Sequence, residues 1–225
     1  MTENRLTSKI DDLFRREKWQ EARRLLERKR EETPNDHWVL TQLGVTFYEQ
    51  RRYEDALQLF LASRKIVRDC PLTLWNLAGT LDSLENYADA MRIYVWLYLN
   101  KTSPDADPCW ESKEWADALK TDCVYRIGVC FQHLGKKREA EDCYRQYLDL
   151  LSVGIEGAYS IEDVKRQIRD LYGEGRTSAV ESEVRRAVNA TLRASGIDLR
   201  KSRRNRLPEL NVRELIPGHL GPAEK

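Results

Sequence analysis

The feature that most constrains this chain is a period. The stretches 3–36, 37–70 and 71–104 align without gaps at a spacing of 34 residues, and a fourth unit, 121–154, follows in phase after an insertion at 105–120. Alanine holds one register in all four units, as Ala22, Ala56, Ala90 and Ala140, and four residues later comes Leu26, Phe60, Tyr94 or Tyr144. Three residues before each alanine stand Trp19, Tyr53, Tyr87 and Lys137. Earlier in each unit Leu6, Leu40, Leu74 and Val124 precede Leu13, Phe47, Leu81 and Phe131. Between them sits a small residue, Gly44, Ala78 or Gly128, in three of the four units.

Apolar residues three, four and seven apart line one stripe of an α-helix, so each unit reads as two helices. Small residues on the first helix and alanine on the second let an antiparallel pair approach closely. The large residue after each alanine is expected to fill the space between that pair and the next. Such a unit cannot bury its apolar face alone, so neighbours must stack. With 11 Gly and 7 Pro in 225 residues the chain lacks the turn density of an all-β fold.

The period and its columns resemble the tetratricopeptide-repeat (TPR) family. The best local matches are LGVTFYEQRRYEDALQLF at 43–60, LAGTLDSLENYADAMRIY at 77–94 and IGVCFQHLGKKREAEDCY at 127–144. The resemblance covers residues 3–154. It implies an all-α fold, a right-handed superhelical α-solenoid of about four helix-turn-helix repeats. In the first unit Ile10 takes the place of the small residue, which predicts a looser hairpin.

In the insertion, KTSPDADPCW at 101–110 reads as a loop, and Glu111 to Lys120 as a helical lead running straight into the fourth unit. Trp110 and Trp115 are expected to pin the insertion to the third unit; the alternative makes them one wall of a groove. After 154 the period is lost. SIEDVKRQIRDL at 160–171 opens on Ser160 with Glu162 and Asp163 behind it, a good helix start, and Gly173 and Gly175 end it. TSAVESEVRRAVNATLRAS at 177–195 carries a narrow apolar stripe. Residues 155–196 therefore read as C-terminal capping helices, which a solenoid end requires. Residues 197–225, with RKSRRNR at 200–206, read as a basic, disordered tail.

The resemblance also implies a function: the first helices line a concave face that binds polypeptide. Helical spacing assigns to that groove Trp38, Gln42 and Tyr48 from the second unit, Trp75 and Asn76 from the third, and Tyr125, Arg126 and His133 from the fourth. The chain is thus expected to be a non-catalytic scaffold or adaptor with a protein or peptide partner. A chaperone-type carboxylate clamp is the weaker reading. Asn76 and Arg126 match its pattern, but Thr41, Val45 and Asp122 do not, and Asp122 reverses a charge.

A formal net charge of +1 gives no global pull toward nucleic acid, so a nucleic-acid role would rest on the tail alone. Five cysteines at irregular spacing do not form a secreted disulfide framework, and no signal-like or membrane-spanning run occurs, so a cytoplasmic location is expected. Cys123, Cys130 and His133 share a helix but fall short of the four ligands of a structural metal site. No metal, other cofactor or catalytic residue is expected, since no phosphate loop or nucleophile elbow occurs either.

Overall fold

The computed structural model describes residues 3–173, apart from 103, 104 and 106. Among the described residues there are nine α-helices and no strand. The first three units are the pairs α1 (Glu3–Arg15) and α2 (Trp19–Glu32), α3 (His37–Tyr48) and α4 (Tyr53–Ile66), and α5 (Pro71–Ser83) and α6 (Tyr87–Leu99). The fourth unit pairs α7 (Lys113–His133) with α8 (Lys137–Ser152), and α9 (Ile161–Asp170) packs on α8. Each helix packs mainly on its neighbours in the chain, and α3 also touches α5. That is the pattern of a stacked helical repeat.

The columns of the sequence explain the stacking. Ala22, Ala56, Ala90 and Ala140 are fully buried, as are Leu26, Phe60, Tyr94 and Tyr144. A methyl group added at Gly44 would stand 2.5 Å from Cε1 of Phe60, and one at Gly128 would stand 2.8 Å from Cε1 of Tyr144. The small residue of the first helix is therefore the seat of the large residue of the second. In the first unit Ile10 is fully buried among Leu6, Leu13, Ala22, Leu26, Val39 and Leu43, and α1 packs on α2 less extensively than α3 does on α4. Filling that seat with a branched side chain holds the pair apart.

The turn inside each unit also repeats. The amides of Lys18, Arg52, Asn86 and Lys136 donate to the carbonyls of Leu13, Phe47, Leu81 and Phe131 at 2.8–3.0 Å. The residue before each donor has positive φ: Glu17 (54°), Arg51 (59°), Glu85 (61°) and Gly135 (73°). This is the glycine-favouring helix end, and three of the four units close it without glycine.

Within the insertion a 3₁₀ turn at Pro108–Trp110 packs on α5 and α7. Trp110 is 1% exposed and meets Trp115 edge to face, with ring centroids 6.5 Å apart. The insertion is thus pinned to the third and fourth units. Ser112 accepts from the Trp115 amide at 3.1 Å and starts α7, a helix of 21 residues that runs unbroken into the fourth unit. Ser160 caps α9 in the same way through the Asp163 amide. Packing contacts divide the chain after Leu171. The predicted helix at 177–195 and the basic tail lie outside the described residues.

Candidate functional site

The period defines corresponding places on successive first helices: Thr41, Trp75 and Tyr125 hold one, and Gln42, Asn76 and Arg126 the next. The structure treats the second and third units differently from the fourth. On α3 and α5, Trp38, Gln42, Tyr48, Trp75 and Asn76 are all half-buried. Trp38 rests on the apolar cluster of the first unit. Trp75 meets the Tyr94 ring edge to face at 5.4 Å. The Asn76 amide donates to the Leu72 carbonyl at 2.8 Å, and the Tyr48 hydroxyl accepts from Ser83 at 3.3 Å. Each side chain has one side on the scaffold and another in solvent.

On α7 the same places are engaged within the chain. Tyr125 is 6% exposed, because Tyr159 stacks on it at 3.7 Å with the rings 19° apart. Tyr159 belongs to the segment that leaves α8 and returns over the fourth unit. Its backbone is held as a bound peptide would be. The Ala158 amide donates to Oδ1 of Asp122 at 2.8 Å. The Tyr159 amide donates to the Tyr147 hydroxyl at 2.9 Å, and that hydroxyl donates to the Tyr159 carbonyl at 3.0 Å. Glycine is required at 157, where a Cβ would overlap the Tyr147 hydroxyl.

Arg126 forms a 2.6 Å ion pair with Asp82 of α5 and donates to the Tyr94 hydroxyl at 3.1 Å. Burial alone would lower its pKa, but Tyr94, Tyr159 and Asp82 outweigh burial and raise it, so the guanidinium stays charged. Burial raises the Asp82 carboxyl, against the opposing pull of Arg126 and His133. Burial likewise raises Asp122, against its hydrogen bonds from Ala158 and Tyr147. His133 is exposed and stacks flat on Tyr87 at 4.3 Å.

Two of the carboxylate-clamp positions are engaged in other contacts. Thr41 is buried in a hydroxyl cluster with Ser63 and Thr73, at 2.8 Å from each, and Asp122 holds the returning segment. Cys123, Cys130 and Cys143 are buried core thiols, and burial pushes Cys130 and Cys143 up to about 12. The convergence that the sequence did not disclose lies elsewhere: His37, Cys70 and Cys109 bring a ring nitrogen and two sulfurs within 4.8 Å of one another.

Helix pairs stacked in one register define an α-solenoid of the repeat class. Residues 122–150 match the family model described as "Tetratricopeptide repeat". Two solved structures share the fold. One is the "MamA RS-1 ArsTM double mutant", at a TM-score of 0.58 and 14% identity over 85% of this chain and 95% of that one. The other is "Crystal structure of MamA protein", at 0.55 and 14% identity over 91% and 96%. No curated protein matches. Residues 122–150 thus carry a tetratricopeptide repeat, and the described residues share the helical-repeat fold of these two structures. No helix among the described residues is long and apolar enough to cross a membrane.

Proposed function

We propose that this chain is a non-catalytic interaction scaffold that holds a polypeptide segment along its first helices, with Trp38, Gln42, Tyr48, Trp75 and Asn76 as the contact set. One observation carries the reading: the fourth unit already holds a stretch of main chain at this register. Tyr125 and Asp122, which grip Tyr159 and Ala158, correspond to Trp75 and Leu72 of the third unit and to Thr41 and Trp38 of the second. At those places Trp38, Leu72 and Trp75 are half-buried, with Gln42 and Asn76 half-buried beside them, while Thr41 is buried. Large aromatics supply contact area at low entropic cost and are common interface anchors.

In this reading Tyr125 and Asp122 hold the chain's own segment, Arg126 is tied to Asp82, and the foreign segment lies on α3 and α5. Pull-down with mass spectrometry, comparing wild type with Trp38→Ala/Trp75→Ala, tests it. Each lost anchor costs about 2 kcal/mol, roughly 30-fold in affinity. The double variant should therefore lose the captured partner while its helical CD spectrum is unchanged. The same partner at the same yield from a folded double variant would sink the proposal.

A further inference from the structure

Three segments far apart in sequence deliver His37, Cys70 and Cys109 to one place. His37 is the first residue of α3, Cys70 is the N-cap of α5, and Cys109 lies in the 3₁₀ turn of the insertion. The repeat accounts for two of them. His37 and Pro71 hold the same register in successive units, so the starts of α3 and α5 are neighbours. The insertion supplies the third by folding onto α5.

The geometry is that of a ligand set. His37 Nε2 lies 3.8 Å from Cys109 Sγ, and all three donor atoms fall within 4.8 Å of one another. Two ligands at zinc-nitrogen and zinc-sulfur distances from one tetrahedral ion stand about 3.6 Å apart. The pair is thus already at nearly the right span. Cys70 is buried, while His37 and Cys109 are half-buried, which leaves a solvent path for an ion.

The backbone on each side is fixed. The His37 carbonyl accepts from Thr41 Oγ1 at 2.8 Å and from Ser63 Oγ at 2.9 Å. Thr73, three residues after Cys70, joins the same cluster. The Cys109 amide donates to Oδ1 of Asp107 at 2.9 Å. These contacts fix the main chain that carries His37 and Cys109.

We infer that His37, Cys70 and Cys109 form an open, three-ligand binding site for a thiophilic divalent cation of the zinc class, bridging the insertion and the starts of α3 and α5. Two sulfurs and an imidazole select a soft or borderline ion over magnesium or calcium. Binding converts both thiols to thiolates and releases two protons to solvent, and the two negative charges neutralise the dication. Three protein ligands leave the fourth position to water.

The test uses the full chain, reduced and metal-stripped, with Zn²⁺ and Co²⁺ as probes. Expected are one Zn²⁺ bound per chain in competition with a chromophoric chelator, and a raised Tm. Co²⁺ should give thiolate-to-metal charge transfer and the intense visible bands of tetrahedral cobalt. Cys70→Ser, Cys109→Ser and His37→Gln should each weaken Zn²⁺ by more than 10-fold, whereas Cys143→Ser should bind as wild type does. CD spectra of the apo variants verify that each is folded. The inference is overturned if the reduced wild type binds no stoichiometric Zn²⁺, or if Cys70→Ser and Cys109→Ser bind it undiminished. It is equally overturned if mild oxidation of the stripped chain forms a Cys70–Cys109 disulfide while Zn²⁺ and Co²⁺ leave no trace on the reduced protein.

Discussion

Two glycines on first helices behave oppositely because of what faces them. Gly44 is the seat of the buried Phe60 ring, which a methyl group would meet at 2.5 Å. Gly79 looks toward the Tyr48 and Tyr94 hydroxyls at 3.7 Å, an ordinary contact. Alanine is better than glycine in a helix by up to about 1 kcal/mol, whereas overpacking a core costs about 1–3 kcal/mol. Gly79→Ala should therefore stabilise the protein by up to about 1 kcal/mol, and Gly44→Ala should destabilise it by about 1–2 kcal/mol. Urea unfolding of the two variants measures both signs. The turns yield a second prediction. Arg51 has a φ of 59° where the fourth unit uses Gly135. Arg51→Gly should raise stability by about 0.5–1 kcal/mol in the same assay, since a left-handed backbone strains any residue with a Cβ.

At the scale of elements, the fourth unit is joined to its neighbours by charge as well as by apolar packing. The Arg126–Asp82 pair links α7 to α5, with side chains 20% and 8% exposed. Removing one member of a buried pair strands the other, at a cost of about 3–5 kcal/mol. Arg126→Ala should therefore cost about that much, and Arg126→Ala/Asp82→Asn should recover a substantial part of it. A double-mutant cycle by chemical unfolding reads the coupling. An Arg126 that served only to bind a ligand would leave stability unmoved and give no coupling with Asp82. The loop before α9 acts differently. With Tyr159 on Tyr125 it covers a place whose counterpart in the third unit, Trp75, is half-buried.

For the molecule as a whole, a net charge of +1 leaves the pH response to individual buried groups. Burial raises the carboxyls of Asp82 and Asp122 above their ordinary values. A raised carboxyl binds its proton more tightly in the folded state, so stability falls as pH climbs from the unfolded value, about 3.9 for aspartate, through the folded one. Asp122→Asn keeps an oxygen for the Ala158 amide and removes the titration. The wild type should therefore lose stability relative to Asp122→Asn across that window, and the gap should stay constant above it. Denaturant midpoints from pH 4 to 8 would show this.

Much of this architecture was legible in the sequence, because helical period and repeat period are local patterns that packing only confirms. Ala90 and Tyr94, or Gly128 and Tyr144, declare their burial by register alone. The returning segment and the His37–Cys70–Cys109 convergence were not legible. Residues 155–159 have no period, and Cys109 reaches His37 only because of how the insertion folds. Tyr125 and Arg126 looked like groove residues for the same reason: register assigns a face but not what already lies on it.

The occupied fourth unit has a consequence for length. If α3 and α5 are the rows left to a foreign chain, their axes are about 8–10 Å apart, the ordinary spacing of packed helices. An extended polypeptide advances about 3.3 Å per residue, so it crosses that interval in roughly three residues. The recognised feature would then be a short motif, two bulky anchors about three positions apart, and neighbouring sequence would matter little.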